Sequence, residues 1–223
     1  MLLSLAQNGS RFCAALGEQV TPASKSSTAP SPTAYLNAID RRPEHVNSDL
    51  DFPQRFTISG IWELPFKRTP NRFLDLLATG WQVQAWYEGQ SGEPLGLGNV
   101  TFRGNLADIP APISQRYPTR WFNIDAGFER DPAKALANNI QTLSTRFTGV
   151  RADGINNLDA SMFKNFKVSE RFTAQFRFET YNTANHVQFA APNTNPVSGA
   201  FGTVTAEKGQ GQRQVTFGAK LLF

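Results

Sequence analysis

Residues 214–223, QVTFGAKLLF, place Val215, Phe217, Ala219, Leu221 and Phe223 at alternate positions and end on the last residue of the chain. Successive side chains of a strand point to opposite faces, so this spacing predicts a strand that is apolar on one face only. Working outward, residues 171–182 (RFTAQFRFETYN) set Phe172, Ala174, Phe176 and Phe178 on one face. Arg171, Thr173, Gln175, Arg177, Glu179 and Tyr181 fall on the other. Residues 157–168 alternate Leu158, Ala160 and Met162 against Asp159, Ser161 and Phe163, and a tight Ser169-Glu170 turn joins them to the following strand.

The same period recurs upstream. In residues 54–66 (QRFTISGIWELPF), Phe56, Ile58, Trp62, Leu64 and Phe66 oppose Arg55, Thr57, Ser59 and Glu63; Trp81, Val83, Ala85 and Tyr87 then oppose Gln82, Gln84, Trp86 and Glu88. Between them Phe73, Leu74, Leu76 and Leu77 predict a short amphipathic helical turn, bounded by Pro70 and Gly80. Gly and Pro punctuate residues 90–120, which read as one large exposed loop. Residues 121–128 are a short strand or loop, and residues 131–143 (DPAKALANNIQTL) open with an Asp cap and a Pro at the first helical position, predicting a short surface helix. Residues 21–33 (TPASKSSTAPSPT) offer little to bury and read as loop.

These strands are longer than the usual soluble strand of about 5–6 residues. A tilted membrane-spanning strand needs about 9–11 residues, with an apolar outer face, a polar inner face and aromatic residues near its ends. The fold class expected is therefore all-β: an antiparallel up-and-down transmembrane β-barrel, present only as a partial barrel of about five or six strands with long loops. The competing reading is a secreted soluble β-sandwich, in which the apolar faces pack against a second sheet. The terminal strand decides between them. Val215, Phe217, Ala219, Leu221 and Phe223 have the form of the C-terminal signal by which outer-membrane barrels are recognised for assembly, and an unpaired strand edge is a template for pairing with another chain. On this reading Phe56, Ile58, Trp62, Phe172, Phe176 and Phe178 face lipid, while Arg177, Glu179 and Tyr181 face the lumen.

Composition agrees with strands and turns: 223 residues, 18% charged, with 18 Phe. The net charge of +4 comes from Lys and Arg scattered along the chain, without the dense basic run of a nucleic-acid-binding surface, so no nucleic-acid partner is expected. No run of about 18 apolar residues exists for a membrane-spanning helix. A mean hydropathy of -0.36 is compatible with a barrel, because its strands mix lipid-facing and lumen-facing residues. The N-terminus has no basic residue ahead of its apolar start and no small-residue cleavage site, so it does not read as a signal peptide. Cys13 stands alone and forms no internal disulfide.

Catalytic chemistry is not expected. His45 and His186 lie far apart with no metal-ligand spacing. Asp153, Asn156, Asn157 and Asp159 lack the calcium-loop pattern and fit turn chemistry better. No phosphate loop, serine elbow or carboxylate pair occurs in its required context. Neither an enzyme nor a resident cofactor or metal is predicted.

Several stretches together resemble a known family. They are AYLNAIDRRPEHVNSDLDFPQRFTISGIWELPF at 34–66, GWQVQAWYEGQSGEPL at 80–95, NLDASMFKNFKVSERFTAQFRFETYNTANHVQF at 157–189, PNTNPVSGAFGTVT at 192–205, and the RQVTFGAKLLF terminus. They resemble the C-terminal barrel of TonB-dependent receptors that carry an N-terminal carboxypeptidase-regulatory-like domain, the Oar-like group. The resemblance implies an outer-membrane active importer that takes up a bulky nutrient, such as a metal chelate, glycan or peptide, with energy from an inner-membrane complex. It implies outer-membrane lipid as a partner, barrel-assembly machinery engaged through the C-terminal strand, and the TonB complex engaged only through N-terminal regions that this sequence lacks. A passive or structural outer-membrane barrel is the alternative function.

The resemblance assigns residues 34–223 to the receptor barrel. Residues 1–33 read as an irregular segment. The family there carries a strand ending Tyr-Thr-Trp-Ser-Lys where residues 19–25 read QVTPASK, and codons for Val20-Thr21-Pro22 shifted by two bases can encode Tyr-Thr-Trp. An out-of-frame N-terminus and a truncated product, inactive alone, are the corresponding expectations. Five or six strands fall short of the usual minimum of about eight, and an open sheet in lipid leaves backbone groups unsatisfied.

Overall fold

Alternation along the chain becomes one antiparallel sheet of seven strands. In the computed structural model these are β1 (Leu2–Gln7), β2 (Ser10–Gln19), β3 (Arg55–Glu63), β4 (Trp81–Gln90), β5 (Ile155–Lys167), β6 (Thr173–Tyr181) and β7 (Gln214–Leu222). The structure describes residues 2–7, 10–19, 25–26, 46–48, 51–66, 70–97, 100–134, 143–144, 146–209 and 211–223, with side chains from 47 onward except 72. Each strand pairs with the next in the chain, which is the up-and-down order expected. Among the described residues β1 and β7 are free edges, so the sheet is a partial barrel wall.

The register is coherent across the whole sheet. Leu5 pairs with Phe12, Phe12 with Trp62, Trp62 with Val83, Val83 with Met162, Met162 with Phe178 and Phe178 with Phe217. Because strand residues two apart share a face, this row fixes one apolar face for β3 to β7. The opposite face carries Ile61, Gln84, Ser161, Glu179 and Thr216 in one row. No second sheet covers the apolar face among the described residues, and Phe217 keeps 77% of its surface exposed. That is the reverse of a β-sandwich, in which this face would be the core.

Two strands replace the irregular N-terminal segment expected from the sequence: Leu2–Gln7 and Ser10–Gln19 pair with each other, and the second pairs with β3. The alternation there is carried by Phe12, Ala14 and Leu16 against Cys13, Ala15 and Gly17, where small residues on the second face blur the contrast. The strand number rises from about five or six to seven for this reason. Of residues 20–45, only Lys25–Ser26 is described, paired with Val46–Asn47. The remaining loop prediction there, and His45, lie outside the described residues.

Successive antiparallel strands put their connections at alternating ends. Short links between β1 and β2 and between β5 and β6 share one end with residues 64–80 and with Phe223. The strand order puts the long connections 91–154 and 182–213, and the described residues 51–54 ahead of β3, at the other end. There the predicted exposed loop proves to be packed. Leu95, Leu97, Val100, Ile109, Trp121, Phe122, Phe128, Leu143, Val150 and Phe201 form a buried cluster. Phe201 comes from the β6–β7 connection and the rest from the β4–β5 connection, so the two loops fold as one cap. Phe122, Phe128 and Phe201 meet edge to face with centroids 5.1 to 6.2 Å apart, a favoured aromatic geometry. Gly104 lets two stretches of backbone touch, since a methyl there would strike the carbonyl oxygen of Ala126.

The predicted helical turn is α1 (Arg72–Ala78), N-capped by the Asn71 side chain, which accepts from Phe73 N–H at 3.0 Å. Of the helix predicted over 131–143, Pro132–Lys134 is a single 3-10 turn and residues 135–142 lie outside the described residues. In residues 121–128 only Phe128 makes a strand-like bridge, to Phe102.

Candidate functional site

The polar face is held by contacts between neighbouring strands. Arg55 on β3 pairs with Glu88 on β4 at 2.9 Å. On β6, Arg177 Nε donates to Gln175 Oε1 at 2.8 Å, and its guanidinium lies 5.2 Å from the Phe163 ring centroid. Gln175 Nε2 in turn donates to Asn165 Oδ1 at 2.9 Å. Phe163, one of the aromatics on this face, is thereby buried beneath a cation.

Where this face meets the cap, it opens into a recess of 180 Å³ lined by Glu88, Asn157, Asp159, Tyr181, Asn182 and Gln214, among others. Its floor is fixed from below. Asp159 Oδ1 accepts from Asn157 Nδ2 at 3.0 Å and from Asn182 N–H at 2.8 Å. Asn182 has a φ of 49°, a left-handed conformation that Asn tolerates better than most residues. Its buried amide spans the mouth of the β6–β7 connection, donating to the carbonyls of His186 at 2.9 Å and Gly211 at 3.1 Å. The result is a preorganised recess rich in carboxylate and amide groups, suited to hydrogen bonding. Among the described residues no three metal-ligating side chains come together.

Three contacts tie the long connections to one another. Asp51, just ahead of β3, pairs with Arg151 of the β4–β5 connection at 2.7 Å. Phe189 N–H donates to Asp153 Oδ2 at 2.9 Å, and Val204 N–H to the Pro118 carbonyl at 2.7 Å. Asp153 thus serves loop geometry, whereas Asn156, Asn157 and Asp159 lie on β5 and not in the turn expected; Asn156 Oδ1 accepts from the Tyr87 hydroxyl of β4 at 3.0 Å.

Most sequence-predicted residues fall into two sets. Phe56, Ile58, Trp62, Phe176 and Phe178 share the apolar face by register. Arg177, Glu179 and Tyr181 share the opposite one, and Tyr181 reaches the recess. Val215, Phe217, Ala219 and Leu221 pair with Thr180, Phe178, Phe176 and Ala174, while Phe223 lies one residue past the end of β7. Phe172 precedes β6, and its carbonyl accepts from Val168 and Ser169 N–H in the turn, so it belongs to the rim. Sequence reasoning passed over Lys164. Its parity with Met162 and Phe166 already puts it on the apolar face, and the register confirms this by pairing it with Trp81 and Phe176.

A single antiparallel sheet, apolar on one side and polar on the other, with short links at one end and a folded cap at the other, defines the wall of a membrane-spanning β-barrel. The chain belongs to the outer membrane beta barrel domain family, whose model matches residues 17–216. It is accordingly an outer-membrane protein. The comparison with curated proteins found no match, and the comparison with solved structures found none.

Proposed function

We propose that this chain is part of the barrel of an outer-membrane active transporter of the TonB-dependent receptor type, importing a bulky nutrient. The carrying observation is the folded cap with its polar recess. A pore for passive diffusion is served by an open mouth, whereas here two long connections share an aromatic core beside a recess of hydrogen-bonding groups on the polar face. The stretches resembling Oar-like receptors support the same reading. In this arrangement the apolar face meets lipid, Arg177, Glu179 and Tyr181 face the lumen, the terminal strand engages the assembly machinery, and the TonB complex supplies the energy.

Two measurements test it. Membranes carrying the protein are offered a panel of metal chelates, glycans and peptides, and accumulation of the accepted ligand should stop when a protonophore collapses the inner-membrane gradient, with surface binding retained. In planar bilayers the protein should show no steady conductance. A stable ohmic pore, or uptake indifferent to the protonophore, would establish the passive barrel instead.

A further inference from the structure

At the short-link end, α1 exposes its apolar side chains. Phe73 is 67% exposed, and Leu74, Leu76 and Leu77 are exposed beside it. At about 3.6 residues per turn these four share one arc, with Asp75 opposite. A seven-residue helix presenting that much apolar surface to water would gain little by folding.

Two side chains of the sheet's apolar face hold the end of this helix. Trp81 Nε1 donates to the Leu77 carbonyl at 2.9 Å, and Lys164 Nζ donates to the Thr79 carbonyl. Carbonyls at a helix C-terminus lack intrahelical partners and favour a cation, so both contacts are chemically apt. Lys164 is only 3% exposed, with its ammonium 5.2 Å from the Trp81 ring centroid and 4.9 Å from that of Phe166. The consequence is directional: α1 is drawn toward the lipid side of the wall, not toward the lumen. Exposed Val168 and Phe172 in the neighbouring turn extend the apolar band.

We propose that α1 is a membrane-surface anchor, lying in the headgroup region of the leaflet at the short-link end and taking anionic phospholipid there. Its apolar arc continues the lipid-facing surface of the sheet. The sequence just ahead of it and at its first residue, Lys67-Arg68-Thr69-Pro70-Asn71-Arg72, contains three basic residues. Basic residues next to an apolar arc in the sequence are the pattern of interfacial helices at anionic lipid. The anchor requires that the apolar face meet lipid, and it is independent of what the barrel transports.

The test uses the full chain with Cys13→Ser, folded into vesicles of phosphatidylcholine alone or mixed with phosphatidylglycerol. Spin labels are placed singly through Leu74→Cys, Leu77→Cys, Asp75→Cys and Phe176→Cys. The oxygen-to-nickel-chelate collision ratio should be severalfold higher at positions 74 and 77 than at 75, and higher still in the anionic vesicles. A label at 176 in lipid with labels at 74 and 77 in water overturns the anchor. If position 176 is also in water, the lipid-facing assignment of the sheet fails and the anchor falls with it. Equal ratios in the two vesicle types remove the anionic headgroup.

Discussion

Asp51 and Arg151, one hundred residues apart, meet at 2.7 Å through Oδ2 and Nη2, and Arg151 Nη1 also donates to the Asp51 carbonyl. The aspartate is 3% exposed and also accepts from Asn47 Nδ2. The hydrogen bond from Arg151 is the main cause that holds its carboxyl below the ordinary carboxylate value; burial opposes this without reversing it. A carboxyl whose folded value is depressed stabilises the fold above its unfolded value of about 3.9 and loses that contribution as pH falls through the lower folded value. Hydrogen exchange at Ala152 N–H, which donates to the Glu93 carbonyl, should therefore be pH-independent, after correction for intrinsic rates, from neutrality down to about pH 4 and accelerate below it. Asp51→Asn should remove this acid-dependent phase and weaken cap closure by about 3 kcal/mol, since it leaves Arg151 without its counterion.

Phe122 is fully buried at the centre of the aromatic cluster. Phe122→Ala should weaken the cap by about 3–5 kcal/mol through the cavity it leaves. Limited proteolysis should then cut within residues 91–154 while the strand signal in circular dichroism is unchanged. Loss of both together would mean that cap and sheet fold as one unit.

Phe176 and Arg177 are adjacent residues on opposite faces. Cysteine substitutions in the membrane-inserted protein should react differently: position 176 with a lipid-phase reagent, position 177 with a water-soluble one. The reverse pattern would exchange the lumen and lipid faces of the entire sheet.

Phe223, 96% exposed and just beyond β7, should matter for assembly. Phe223→Ala should reduce the heat-modifiable, folded barrel in the outer membrane and leave ligand affinity per folded molecule unchanged, because an interfacial aromatic anchor is lost. Leu222, paired with Thr173, stands on the other face, and Leu222→Ala should do much less. Equal depletion by both would refute the alternation argument for the terminal strand.

Strands β3 to β7 were legible because their two faces differ strongly in polarity, so parity alone located them. The first two strands were not, because Cys13, Ala15 and Gly17 neither resemble a polar face nor contrast with Ala14. The cap core was invisible for another reason. Leu97, Ile109, Phe122 and Phe201 keep no common period, and their contacts depend on two loops meeting across 100 residues of chain. The recess escaped notice similarly: Tyr181 was grouped with the polar residues of β6, but its neighbours Glu88, Asn157 and Gln214 come from three other strands.

The cap's attachments also bear on how the wall keeps its alignment. A slide of β3 past β4 by one residue moves the strand by about 3.3 Å and exchanges its two faces. That same slide would draw Asp51 away from Arg151, because Asp51 lies just ahead of β3 while Arg151 also donates to the carbonyl of Gly92, two residues past β4. Likewise a shift of β6 against β5 would pull Phe189 from Asp153. The cap thus works as an indexing pin for the strands beneath it, and damage to its core should surface at the far end of the sheet, as misaligned strands in newly assembled protein.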